Sequence, residues 1–143
     1  MSVEQVARDV VMNMTKLDKV TTMVTADAMA SGGLLQKEIP VTESLKVTAG
    51  LITAFPDFSI EIQKLTVDGD RAWVKVRWSG TQTGPLSLPG MQTIPATGKK
   101  VSVEDAYIVT VIGDKVSHFE IQSPANGGIP AAIAQLGVKM PAR

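Results

Sequence analysis

The sequence predicts an α+β fold, helices first and an antiparallel sheet after them, on three observations. Apolar residues recur at helical spacing as far as Phe55, the period changes to two at Phe58, and Gly-Asp turn signals separate the alternating runs that follow. At 143 residues the chain fits one domain, 1–143, with a single core. A domain of about this length buries roughly two thirds of the surface that its unfolded chain exposes.

Each element follows from local pattern. Val3, Val6, Ala7, Val10, Val11 and Met14 mark a first helix, and Leu17, Val20 and Val24 a second, after a break near Thr15. The segment Ala28 to Gly33 is small and rich in breakers. A third helix runs from about Glu43 to Phe55 with Leu45, Ala49, Ile52 and Phe55 near one face, and Pro56, which has no N–H to give, stops it. Phe58 to Ile62 and Ala72 to Trp78 then alternate every second residue around Asp68-Gly69-Asp70, a hairpin. A three-residue loop, Asp68 to Asp70, pairs Ile62 with Val76 and Ile60 with Trp78, whereas a two-residue Asp-Gly loop pairs Ile62 with Lys75. A slip of one residue turns every side chain over, so the longer loop is the consistent choice. Val74, Val76 and Trp78 then face inward, and Trp73, Lys75 and Arg77 outward. Trp78 is either a pocket wall or ordinary core packing.

The connection from Pro85 to Lys100 is rich in Pro, Gly and Thr, and is either a lid with Gly84, Gly90 and Gly98 as flexible points or a surface excursion. Val101 to Ile112 and Lys115 to Ser123 form a second hairpin around Gly113-Asp114, where glycine in the first central position suits a type II′ turn. A short helix, Ile129 to Leu136, and a loose tail, Gly137 to Arg143, end the chain.

Composition excludes several functions. Fourteen basic and fourteen acidic residues cancel and are scattered, so neither nucleic acid nor an anionic membrane finds a charged footprint. No cysteine is present and one histidine stands alone, which removes disulfides, a thiol nucleophile and a histidine cluster for a metal. The start, MSVEQVARDVV, is charged, and no stretch approaches the roughly 20 apolar residues of a membrane span, so the expected location is the cytoplasm.

In AYIVTVIGDKVSHFEIQ, Ala106 to Gln122, the second apolar run holds a glutamate and the one histidine. A two-residue turn at Gly113-Asp114 makes Tyr107 face Glu120, Val109 face His118 and Asp105 face Gln122, all on one side of the sheet. A carboxylate set among Val109, Val111, Val116 and a phenol has its charged form disfavoured by burial, which suits a general base. The alternative is a solvated glutamate hydrogen-bonded to Tyr107.

The order of elements, with Phe55-Pro56-Asp57, Trp73-Val74-Lys75, Gly80-Thr-Gln-Thr-Gly84, Pro95-Ala-Thr-Gly98, Asp114-Lys115-Val116, His118-Phe119-Glu120 and Gln135-Leu136-Gly137, resembles the SnoaL-like polyketide cyclases of the nuclear transport factor 2-like superfamily. The resemblance implies a cone-shaped curved antiparallel sheet with the N-terminal helices packed over its concave face. It implies a base at Glu120, where the family has aspartate, preceded by His118, and a partner at Tyr107, where the family has histidine. The implied reaction is an intramolecular aldol closure, or a related carbon-acid isomerisation, of an apolar small molecule without a cofactor or metal. Glu120 is the expected base, Tyr107 orients it or donates to the oxyanion, His118 supports it, and Trp78, Asp105, Val109 and Gln122 line the pocket. A homodimer through an outer sheet face, that of Trp73 or that of Phe119, is implied as well. Two other readings stand beside the cyclase: a non-catalytic binding module, and a hydrolase of the same fold using Asp105 as a second inward carboxylate.

Overall fold

The computed structural model describes residues 2–32, 37–88, 92–124 and 127–137. Helix α1, Val3–Met12, begins at a capping box: the Gln5 N–H donates to Ser2 Oγ, and the Ser2 N–H donates to the Gln5 side chain. Its apolar stripe, Val6, Ala7, Val10 and Val11, is buried. Helix α2, Leu17–Thr22, stops short of Val24, which instead opens strand β1, Val24–Gly32. Strand β2, Ile39–Pro40, leads into helix α3, Val41–Ala54. Strands β3, Ser59–Asp68, β4, Arg71–Thr81, β5, Lys100–Ile112, and β6, Lys115–Ile121, follow, and helix α4, Gly128–Gln135, closes the described chain. The strands form one curved, unclosed sheet in the order β2-β1-β6-β5-β4-β3, antiparallel except where β1 runs parallel to β6.

Strand β1 contains most of the small, breaker-rich segment. Its residues have little intrinsic preference for a strand, but the ladders to β6 and β2 on its two sides impose one. Small side chains also serve the interior: Ala28 and Ala30 are buried where larger residues would fill the space beneath α3. At Gly32, with φ +85°, a side chain would run into the Ile121 carbonyl.

The first hairpin makes the expected pairs, Ile60 with Trp78 and Ile62 with Val76, by a different construction. The turn is the two residues Gly69-Asp70, with Asp68 opposite Arg71, and a bulge at Gln63 supplies the missing residue of offset.

The second hairpin corrects the sequence reading. Its turn is the expected Gly113-Asp114, with positive φ at Gly113 and none at Asp114, and Val111 pairs with Val116. A bulge at Ser117 then shifts the register by one, so that Thr110 pairs with His118, Val109 with Phe119, Ile108 with Glu120 and Tyr107 with Ile121. The pairs Tyr107–Glu120, Val109–His118 and Asp105–Gln122 are therefore not made. Phe119 and Ile121 turn inward, and His118 and Glu120 turn to the outer face.

Two apolar clusters fill the concave side. One packs α1 onto Val74, Val76, Val109 and Val116; the other gathers Phe55, Trp78, Leu86, Ile94 and Ile133. Trp78 meets Phe55 edge-on at 6.1 Å and stacks on Phe58 at 5.2 Å, contacts of about 0.5–1.5 kcal/mol each beyond simple burial. The 85–100 connection is pinned where it is described. Leu86 and Ile94 exchange backbone hydrogen bonds, and the buried Gln82 amide donates to the Ile94 carbonyl and accepts from the Thr97 N–H and hydroxyl. Gly90 and the tail beyond Gly137 lie outside the described residues.

Candidate active site

Alternation along β4 and β5 sets the polar contents of the interior. Trp78 pairs with Val103, Val76 with Asp105 and Val74 with Tyr107, so Trp78, Asp105 and Tyr107 share the concave face. Helix α3 lies over them and leaves a cavity of about 110 Å³, walled by apolar side chains such as Leu45, Leu51, Ile52, Phe119 and Ile121. Those five are only half-buried because they face this hollow instead of a packed neighbour.

Asp105 is the one carboxylate among the described lining residues. It is 4 % exposed, and burial pushes its carboxyl above the usual aspartate range. Three weaker effects oppose the shift: the Ser123 hydroxyl donates to Oδ1 at 2.7 Å, the Ala106 N–H donates to the same oxygen at 2.9 Å, and the Trp78 indole adds the smallest contribution. Tyr107, also 4 % exposed, is held well above the usual phenol range by burial and then by the charge of Asp105. Its ring lies 4.8 Å from that of Phe119, and its hydroxyl bonds to no described residue. Tyr107 is among the residues that line the cavity.

The start of α4 closes tightly over the carboxylate. A side chain at Gly127 would collide with the Glu104 carbonyl and Pro124, and one at Gly128, with φ +69°, would strike Ser123 and come within 3.6 Å of Asp105 Oδ1. Glycine lets the backbone approach here, and the positive end of a helix favours a nearby carboxylate.

The other candidates lie elsewhere. His118 Nε2 is 3.4 Å from Ser31 Oγ and 3.3 Å from Glu38 Oε2 on the outer face. Both contacts use one ring nitrogen, whereas a serine–histidine–carboxylate relay needs the two opposite nitrogens. Glu120 accepts a hydrogen bond from the Gln122 amide, and both border a separate polar groove. Val109 is fully buried in the core beneath α1. The sequence reading missed Ser123, Phe119, Ile121 and the polar residues Ser44 and Thr48 of α3 as parts of the wall. For Asp105 a signal exists: it is the lone charge in the inward stripe Val101, Val103, Asp105, Tyr107, Val109, Val111.

Among the described residues no group of three His, Cys, Asp or Glu side chains could hold a metal, and no helix is long and apolar enough to cross a membrane. No curated protein matches the sequence. Among solved structures the chain is similar to a protein of Jannaschia sp. CCS1 assigned to the SnoaL-like polyketide cyclases, with TM-score 0.77 and 17% identity over 96% of this chain and 93% of that one. It is similar to IdmH of Streptomyces antibioticus, assigned as a polyketide cyclase, with TM-score 0.76 and 17% identity over 96% and 100% of the two chains. It is similar also to AclR of Streptomyces galilaeus, assigned as a hydroxylase, with TM-score 0.75 and 18% identity over 94% and 95%. At these identities the likeness carries the fold, the nuclear transport factor 2-like α+β architecture. The family model for SnoaL-like polyketide cyclases matches residues 2–122, nearly the whole described chain, and the protein belongs to that family.

Proposed function

We propose that the protein removes a proton from a carbonyl-activated carbon of an apolar small molecule, with Asp105 as the base, and so promotes an intramolecular aldol cyclisation or a related isomerisation. The observation that carries this reading is a buried carboxylate, its charge disfavoured, facing a largely apolar cavity beside a phenol with no hydrogen-bond partner among the described residues. Ionised Asp105 accepts the proton, and the C–H electron pair passes into the enolate. The Tyr107 hydroxyl, protonated throughout the neutral range, is the donor placed to stabilise the enolate oxygen. In a cyclisation the enolate carbon attacks a second carbonyl, and the alkoxide so formed takes a proton from protonated Asp105, which restores the carboxylate. Trp78 and the apolar wall hold the molecule folded, which supplies much of the acceleration when the proton is already acidic.

This reading moves the base from Glu120 to Asp105 and keeps Tyr107 and Trp78 in the site. It leaves His118, Val109 and Gln122 without contact to the reacting atoms. A hydrolase needs an acid and a base about one water, and the described cavity wall offers a single carboxylate. A binding module would hold the same ligand with no proton transfer. Deuterium uptake from D2O into an apolar 1,3-diketone separates them: the protein should accelerate uptake and Asp105→Asn should return it to background. Tight binding of the diketone with no acceleration would favour the binding module.

A further inference from the structure

We propose that Ser123 relays the proton from Asp105 to the polar groove on the far side of the cavity wall, so that the proton leaves by a route the substrate does not block. This rests on the reading of Asp105 as the base. The cavity and the groove share three wall residues, Ile121, Ser123 and Pro130. Of these, only Ser123 carries a polar side chain, and it is half-buried, held between the two spaces. Its hydroxyl donates to Asp105 Oδ1 at 2.7 Å, and the groove beyond it is bordered by Ser31, Glu120 and Gln122. Glycine at 128 leaves the Ser123 hydroxyl its place, which a side chain there would take.

A relay lets Asp105 exchange its proton with solvent while an apolar substrate fills the cavity and excludes water from that side of the carboxylate. The Ser123 and Ala106 hydrogen bonds both use Oδ1, and in this relay the substrate proton goes to Oδ2. A half-turn of the carboxyl about its soft terminal torsion presents the protonated oxygen to Ser123 Oγ. A serine hydroxyl both accepts and donates: it takes the carboxyl proton on a lone pair while its own proton passes to solvent in the groove. Asp105 is ionised again, Ser123 is restored with a new proton, and one proton has reached solvent; the same path run backward brings a solvent proton through Ser123 and Asp105 to the enolate carbon or the alkoxide, so the protons balance.

The test reads where the proton goes, not how fast it is removed. A 3-cyclohexenone deuterated at C2 is isomerised in H2O to the conjugated ketone, and the deuterium retained at C4 is measured. Retention reports return of the same isotope before exchange with solvent. Isomerisation that depends on Asp105, with low retention in the native protein, retention raised severalfold in Ser123→Ala and lowered again in Ser123→Thr, supports the relay. A hydroxyl that merely positioned Asp105 would change the rate and leave this partition alone. Unchanged retention in Ser123→Ala, or retention in Ser123→Thr equal to that in Ser123→Ala, overturns the relay. Isomerisation that is absent, or that survives in Asp105→Asn, overturns the assignment of the base and the relay with it.

Discussion

Asp105 lies in a stripe of inward apolar residues on β5, where an ionised carboxylate weakens the fold that holds it. Its pKa is raised on folding, so between the ordinary aspartate value and the raised one the folded chain holds a proton that the unfolded chain has lost. The contribution to stability is therefore largest below that window and falls as pH rises through it. Replacing Asp105 with asparagine removes the charge and keeps the volume, so thermal unfolding at pH 7 should occur at an unchanged or higher temperature, while proton abstraction disappears. Tyr107→Phe should cost roughly 10- to 1,000-fold in rate, the range for losing one oriented donor, with little change in the melting temperature measured alongside. The sequence carries this residue openly, since charge interrupts an alternating apolar run. Glu120 faces Tyr107, as the family resemblance also suggests, only in a uniform register, which the bulge at Ser117 breaks.

Two strands owe their facing to a single extra residue. On β6 the inward apolar residues are Val116, Phe119 and Ile121, and on β3 they are Ile60, Ile62 and Leu65. A step of three within a period of two marks each bulge, at Ser117 and at Gln63. The places of both turns are legible because Gly-Asp chemistry is local, although the first closes on two residues, Gly69-Asp70, where three are expected. The bulges were harder to see, since polar residues tolerate either face and only the spacing of distant apolar partners reveals the shift. Deleting Ser117 should force Glu120 and His118 toward the interior, or break the ladder, and lower stability by several kcal/mol in denaturant titration, as expected for burying an unpaired charge. The 85–100 connection makes a milder prediction. The amides of Leu86 and Ile94, bonded to each other's carbonyls, should be protected from hydrogen exchange in the ligand-free protein.

At the scale of the molecule, helices, turns and the change of period made the fold legible, and the ordered motifs of the family extended it to a curved sheet. Strand β1 leaves no strand pattern in the local sequence because its small residues suit the cavity it lines, and tertiary pairing overrides their weak local preference. The outer sheet face leaves Trp73 48 % exposed, while Phe119 faces the cavity. We propose a homodimer contact on the Trp73 face, for which Trp73→Glu should convert a dimer to a monomer in sedimentation; a native monomer at micromolar concentration contradicts it. The assignment of Asp105 is tested most directly by following its carboxyl carbon by NMR and the deuterium uptake of a 1,3-diketone in the same pH series. Coincident midpoints above the ordinary aspartate range, with both signals lost in Asp105→Asn, are the predicted result. Uptake that persists in Asp105→Asn and vanishes in Glu120→Gln would contradict it.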